Sequence, residues 1–402
     1  MLVVKKFGGT SVANKERIYN VARRCIEEYN QGNDVVVILS AMGKMTDELI
    51  EKARDINPNP SKRELDMLLT VGEQTSVSLM AMAMANLGVP AISLNAFQVA
   101  MHTTSNYGNA RLKRIDTERI THELESRKIV IVTGFQGINK YDDYTTLGRG
   151  GSDTTAVALA AALRADKCEI YTDVDGVYTA DPRIVKKARK LEEITYDEML
   201  DLATLGAGVL HNRSVEMAKK YGVTLVVRSS LTNEEGTVVK EDVKVEKMLV
   251  SGVAVDKSAE RISILGLEDK PGTAFRVFDA LAKANVNVDM ILQSTGRDNT
   301  QDISFTVDGN FGDDALKVIE ENKARLKYQN IEQEKNVAKV SIVGAGMMSN
   351  PGVAAKMFEC LYNEHINIKM ISTSEIRVTV LIDVNDAERA ANAIHDSFGL
   401  DD

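Results

Sequence analysis

Apolar residues fill positions 2–4 and 7, the turn formers Gly8-Gly9-Thr10-Ser11 follow, and Ile18, Val21, Ala22, Cys25, Ile26 and Tyr29 then recur every three or four residues. That order predicts a strand, a glycine loop and an amphipathic helix. Val35–Leu39 is an unbroken apolar run ending at Ser40, which suits a strand covered on both faces of a parallel sheet. The alternation continues with a helix near 62–86, a strand near 91–95, a helix near 117–126, a strand at 129–134, and further units through residues 153–228. It predicts one layered α/β domain over residues 1–230. Met67, Met80, Met82, Met84 and Met101 are expected to fill core space. Thr232-Asn-Glu-Glu-Gly236 and the mixed-charge stretch after it interrupt the pattern, so residues 231–248 read as a linker.

Beyond 248 the chain repeats itself. Asn285-Val-Asn-Val-Asp-Met-Ile-Leu-Gln-Ser294 matches His365-Ile-Asn-Ile-Lys-Met-Ile-Ser-Thr-Ser374, and Pro271-Gly272 matches Pro351-Gly352, both 80 residues later. A shared offset marks a duplicated unit. Each unit reads strand, Pro-Gly turn, helix, strand, strand, helix, the plan of a ferredoxin-like domain with helices on one face of a small antiparallel sheet. The expected spans are 249–335 and 336–402.

Composition narrows the function classes. The 402 residues are 44% hydrophobic and 27% charged, as in ordinary globular proteins. The formal net charge of −9 repels phosphate backbones, so nucleic acid is not expected as a partner. The apolar run at the amino terminus is too short for a signal peptide, and no stretch is long enough to span a membrane. A cytoplasmic protein is expected. Three scattered cysteines without a Cys-x-x-Cys pair indicate neither a disulfide framework nor a zinc cluster.

Three glycine loops fall where strands give way to helices: Lys6-Phe-Gly-Gly-Thr-Ser11, Ser40-Ala-Met-Gly43 and Gly148-Arg-Gly-Gly-Ser-Asp153. Glycine there lets backbone N–H groups approach anionic oxygens. With Lys6, Arg149, Ser152 and Asp153 in or beside them, they suggest a phosphoryl-transfer site. The chain has no Gly-x4-Gly-Lys-[Ser/Thr], no His-Arg-Asp loop and no Gly-x-Gly-x-x-Gly in its first strand–helix turn, which disfavours P-loop, protein-kinase and dinucleotide-binding readings.

Lys6-Phe-Gly-Gly-Thr-Ser11, Leu69-Thr-Val-Gly-Glu73, Thr146-Leu-Gly-Arg-Gly-Gly-Ser-Asp-Thr154 and Tyr171-Thr-Asp-Val-Asp-Gly-Val-Tyr-Thr-Ala-Asp-Pro-Arg183 resemble the signatures of the aspartokinase family, in the amino-acid kinase superfamily. The tail resembles that family's paired ACT domains. The resemblance implies an amino-acid kinase α/β sandwich followed by two ferredoxin-like ACT domains. It also implies transfer of the γ-phosphoryl group of MgATP to the β-carboxylate of L-aspartate, giving 4-phospho-L-aspartate. ATP and Mg2+ are the implied cofactors.

By the same resemblance, Lys6 contacts the transferring phosphoryl group beside the N–H groups of Gly8 and Gly9, and Asp153 organises phosphates and metal. Ser40, Thr46, Glu73, Arg149, Gly150, Gly151 and Ser152 surround aspartate, Arg149 gripping a carboxylate and Glu73 pairing with the α-ammonium. Thr172, Asp173, Tyr178, Asp181, Pro182 and Arg183 are implied nucleotide contacts. No separate metal-binding set is expected. In the repeats, Asp269, Pro271, Gly272, Asn287, Val288, Asp289 and Gln293, with Asn350, Pro351, Asn367, Ile368, Ser372 and Glu375, are implied effector contacts. The effector is lysine, threonine or both.

The ACT pair implies a homo-oligomer, and Met248 is a candidate internal start for a separate regulatory subunit. The end at residue 402 leaves no room for a fused homoserine dehydrogenase. Gly208 stands where many members of the family carry a lysine, and Asn212 where proline is common; His211 is expected to be structural. A glutamate 5-kinase or acetylglutamate kinase type, and a non-catalytic amino-acid sensor, are the alternative readings.

Overall fold

The computed structural model describes residues 1–206, 208–242, 249–296 and 299–401. The chain forms two compact units: Met1–Val177, Lys190–Ala203 and Gly208–Val245 make the first, and Tyr178–Arg189, Thr204–Ala207 and Glu246–Asp402 the second.

The first unit is built on an eight-stranded sheet in the order Glu193–Thr195, Thr237–Lys240, Leu225–Ser229, Lys167–Thr172, Leu2–Phe7, Asp34–Leu39, Ile129–Thr133, Ala91–Leu94. All neighbours are parallel except Leu225–Ser229 with Thr237–Lys240. The central strands are almost wholly apolar and buried, as a sheet covered on both faces requires. Helices Lys15–Asn30 and Val71–Asn86 pack on one face through Val21, Cys25, Val77, Met80 and Met84. Helix Gly151–Leu163, buried along most of its length, lies on the other face with Asn212–Tyr221 beside it. A smaller four-stranded sheet carries His102–Thr103, Leu112–Arg114, Gln136–Ile138 and Tyr144–Thr146.

Three expectations need correction. The helix over 62–86 breaks at Thr70 into Lys62–Leu69 and Val71–Asn86, where the Thr70 hydroxyl donates to Met67 O at 2.9 Å and Gln136 Nε2 donates to Thr70 O at 3.1 Å. Met80, Met84 and Met101 are buried, but Met67 and Met82 are 48% and 66% exposed. Within the expected linker, Thr237–Lys240 is a strand of the large sheet; four residues of alternation amid charged neighbours were too few to register. Linker residues 243–248, including Met248, lie outside the described residues.

In the second unit each repeat forms its own antiparallel sheet. The first runs Ile291–Thr295, Thr300–Asp308, Ala259–Glu268, Asn330–Glu334, and the second Gly252–Asp256, Val337–Val343, Arg377–Asp383, Met370–Thr373. Helices Thr273–Lys283 and Val353–Asn363 begin at Gly272 and Gly352, at φ +89° and +99°. Such left-handed geometry favours glycine. Asn285 and His365, 80 residues apart, repeat a second left-handed position at φ +58° and +56°. The strand Gly252–Asp256, which the span 249–335 would give to the first repeat, pairs instead with Val337–Val343. The first repeat completes its sheet with Asn330–Glu334, whereas the second ends on helix Ala387–Ser397 and takes its outer strand from upstream.

Lys5 is the main buried cation of the first sheet, 2% exposed. Its Nζ lies 2.8 Å from both Glu28 and Glu169, and Tyr171 donates its hydroxyl to Glu169 at 2.9 Å. Burial alone would raise the Glu169 carboxyl, but Lys5 and Lys167 outweigh it and hold it at about 2. A carboxylate lowered in the fold stabilises it above the ordinary value of 4.5, and that contribution is lost as pH falls toward 2. Lys5→Met is expected to lower unfolding stability by about 3 kcal/mol, since it strips a buried pair of one partner while Lys167 and Arg228 still face Glu169. Urea unfolding checks this; a loss within about 0.5 kcal/mol, the range of an ordinary surface substitution, rejects it.

Candidate active site

Successive strand residues point to opposite faces, so Lys6 emerges on the side away from Lys5. There its Nζ lies 2.6 Å from Asp153 Oδ1 in the first turn of helix Gly151–Leu163, both side chains only 12–13% exposed. A Cβ on Gly8 would stand 3.7 Å from that ammonium. Gly8 therefore leaves the space above Lys6 open on one side.

The three glycine loops converge on this pair. Gly43 donates its N–H to Gly9 O at 3.0 Å, and a Cβ on Gly9 would fall 2.6 Å from Ala41 O. Ser40 donates its hydroxyl to Ser152 Oγ at 2.9 Å, joining the second loop to the third. Ser76, which the sequence reading did not single out, donates to Ser40 O at 2.8 Å. Gly150 adopts φ +65°, and a Cβ there would enter the His211 ring at 2.3 Å. His211 caps helix Asn212–Tyr221, a structural position.

Glu73 is 3% exposed at the start of helix Val71–Asn86. Its Oε1 accepts the Ala41 N–H at 3.1 Å, while Oε2 is buried without a hydrogen-bond partner. Burial pushes its carboxyl up to about 8. Burial thus favours the protonated form at neutral pH, and a cation brought to the free oxygen would favour the ionised one. Arg149 is exposed at the tip of the third loop, and Thr46 is half-buried in the first turn of helix Met45–Ile56. Asp153 is not the cap of its helix; Gly150 occupies that position, which leaves the carboxylate to Lys6.

Of the implied nucleotide contacts, Thr172 ends strand Lys167–Thr172 and Asp173 follows it, both in the first unit. Tyr178, Asp181, Pro182 and Arg183 lie in the second unit, where Arg183 Nη2 pairs with Asp181 Oδ2 at 2.7 Å. Gly208 faces open space, with nothing within 4 Å of a Cβ, so packing does not exclude a lysine there. Among the described residues no cluster of three His, Cys, Asp or Glu could hold a metal ion by itself.

In the repeats Pro271, Gly272, Pro351 and Gly352 are exposed at their helix starts. Asp269, Asn287, Gln293, Asn350, Asn367 and Glu375 are exposed, and Val288 and Ile368 pack partly into their cores. Asp289 is not free: Lys339 of the second repeat lies 2.7 Å away and also 2.9 Å from Asp256. Gln293 donates to Gln301. Ser372 is half-buried on strand Met370–Thr373.

Residues 1–229 match the amino acid kinase family, and residues 262–322 and 340–398 match an ACT domain. The chain is 54% identical over 400 residues to the aspartokinase of Bacillus sp. strain MGA3, covering 99% of this chain and 97% of that one. The chain belongs to the aspartokinase family. Aspartokinase 2 of Bacillus subtilis is 53% identical over 400 residues, 99% of this chain and 98% of that one. The crystal structure of E. coli aspartokinase III with aspartate and ADP, in its R-state, superposes with TM-score 0.82 at 27% identity over 99% of both chains. Its lysine- and aspartate-bound T-state gives 0.80 at 28% identity, also over 99% of both chains. As an aspartokinase this chain is a phosphotransferase, built from an amino-acid kinase domain and ACT domains.

The buried free oxygen of Glu73 makes a pH prediction. If the aspartate ammonium binds only the ionised form, the aspartate KM should fall about tenfold per unit as pH rises from 6 to 7 and level off above 8, with the ATP KM unchanged. An aspartate KM independent of pH over this range removes Glu73 from the ammonium site.

Proposed function

We propose that this aspartokinase moves the γ-phosphoryl group of ATP onto the β-carboxylate of L-aspartate at the site around Lys6 and Asp153. The Lys6–Asp153 pair beneath three converging glycine loops carries the reading. A carboxylate acceptor is already ionised at neutral pH, so no side chain need remove a proton. Catalysis then reduces to alignment and charge neutralisation. Lys6 neutralises charge on the transferring group, and the loop N–H groups at Gly8 and Gly9 add further donors. Glu73 holds the α-ammonium, and Arg149 can donate bidentately to a substrate carboxylate. Ser40, Thr46, Gly150, Gly151 and Ser152 complete the aspartate surroundings. Thr172, Asp173, Tyr178, Asp181, Pro182 and Arg183 take the nucleotide.

Mg2+ is commonly bound through one or two carboxylates together with substrate phosphates, and the single carboxylate of Asp153 fits that donor set. The ion would supply neutralisation of phosphate charge.

Lysine bound to E. coli aspartokinase III supports a lysine effector here, with threonine a second candidate. Asp269, Asn287, Asp289, Gln293, Asn350, Asn367, Ser372 and Glu375 are its proposed contacts. Strand Ile291–Thr295 is exposed along its whole length, with Ile291 52% and Leu292 43% exposed, and Ile371 on the matching strand is 46% exposed. Both are sheet edges, and apolar edges need covering, so a homo-oligomer through the ACT domains is proposed. Among the described residues no helix is long and apolar enough to cross a membrane; a cytoplasmic location agrees with this.

Formation of aspartyl hydroxamate from aspartate, MgATP and hydroxylamine tests the reaction. Lys6→Ala should reduce kcat at least a hundredfold, about 2.7 kcal/mol, with an unchanged unfolding transition. A variant retaining more than a tenth of wild-type kcat takes Lys6 out of the phosphoryl site. Arg149→Ala should raise the aspartate KM at least tenfold and leave the ATP KM within twofold; parallel changes in both would assign Arg149 to the scaffold.

A further inference from the structure

Arg149 sits at the exposed tip of a loop, yet the backbone on either side of that loop is fastened by two side chains outside every motif above. Asp66, on helix Lys62–Leu69 and 1% exposed, accepts the N–H groups of Gly108 and Thr146 on Oδ2, each at 2.9 Å, and the Thr146 hydroxyl on Oδ1 at 2.8 Å. Arg213, on helix Asn212–Tyr221, donates Nη1 to Leu147 O at 2.9 Å and Nη2 to Ala110 O at 2.8 Å. The two segments also meet directly, Ala110 N–H to Thr146 O at 2.9 Å. A Cβ on Gly148 would fall 3.1 Å from Gly108 O. An acid collects the amide donors of the pair of loops and a base collects their carbonyls.

We infer that Asp66 and Arg213 are positioning residues that lock segments 108–110 and 146–148 into one unit and thereby fix where Arg149 presents its guanidinium to the aspartate carboxylate. The inference rests on the reading of Arg149 as the aspartate grip. Chemistry supports the division of labour. A carboxylate has acceptor sites for three donors at once, and the fork of a guanidinium spans two carbonyls that a single ammonium cannot hold in one plane. Backbone groups that would otherwise be left unpaired beside the site are satisfied by rigid helical side chains, so the loop tip is exposed while its base is fixed. Small displacements of a gripping residue cost large factors in a reaction that depends on alignment.

The test is a set of cycles in the full-length enzyme. Asp66→Asn and Arg213→Gln should each raise the aspartate KM at least tenfold while the ATP KM stays within twofold. Both act through Arg149, so in an Arg149→Ala background neither should raise the aspartate KM more than twofold further. Arg213→Lys should recover only part of the loss, since one ammonium replaces a two-pronged fork. Should Asp66→Asn fail to fold, Thr146→Val removes one of the three donors and is expected to raise the aspartate KM about threefold on its own. Equal rises in both KM values, or undiminished effects of Asp66→Asn and Arg213→Gln in the Arg149→Ala background, overturn the inference. If Arg149→Ala itself leaves the aspartate KM unchanged, it is the reading of Arg149 that fails.

Discussion

The alternation of side chains along one six-residue strand governs this molecule. Lys5 and Lys6 are neighbours on Leu2–Phe7, so they must leave opposite faces of the central sheet. One is sealed beneath helix Lys15–Asn30 with Glu28 and Glu169, and the other opens beside Asp153. A slip of one residue would turn each to the opposite face, taking Lys6 away from Asp153. The register with Asp34–Leu39 on one side and Lys167–Thr172 on the other prevents it, and a slip would also pull Phe7 from the apolar cluster where it stacks on Tyr171 at 4.4 Å. Stability and site are thus set by the same two residues.

Around Lys6 the decisive quantity is closeness of backbone. Gly9 and Gly72 both lie against Ala41, and Gly134 lies so near Ser152 that a Cβ would come within 2.6 Å of its hydroxyl. These approaches gather loops from three strand ends over one side chain, and no larger residue would allow it. The polar links Ser40–Ser152, Ser76–Ser40 and Glu73–Ala41 then fix the arrangement. One oxygen of Glu73 holds the second loop, and the other is buried without a partner.

Much of this was legible in the sequence because it is carried by short-range signals. Apolar periodicity located the strands and helices of the first unit, glycine clusters located the loops, and a fixed 80-residue offset exposed the duplication. What escaped notice depends on distant partners. Asp66 sits in a run of ordinary helix formers, and nothing local distinguishes it from a solvated acid; its importance comes from Gly108 and Thr146, 42 and 80 residues on. Lys5 belongs to no motif, although two adjacent lysines on an otherwise buried strand already require one of them to find an internal partner. Thr237–Lys240 is recognisable as a strand only through its neighbours in the sheet.

The second unit shows how tertiary pairing can override chain order with functional effect. Because Gly252–Asp256 joins the second repeat's sheet, Asp256 reaches Lys339 on the adjoining strand, and Lys339 also holds Asp289 of the first repeat. A cation brought to Asp289 therefore competes with an ammonium that belongs to the other repeat, and whatever displaces it alters the charge balance at Asp256. The same unit contains Tyr178–Arg189. Its Ala180 and Val185 lie in the second repeat's core, Thr179 shares a hydrogen bond with buried His395 at 2.9 Å, and Thr179 O accepts from Val253 at 2.7 Å. Close-packed interiors transmit strain rather than absorb it. A run proposed to hold the nucleotide, when it is also part of a repeat's core and bonded to the strand that carries Asp256, cannot move independently of that repeat.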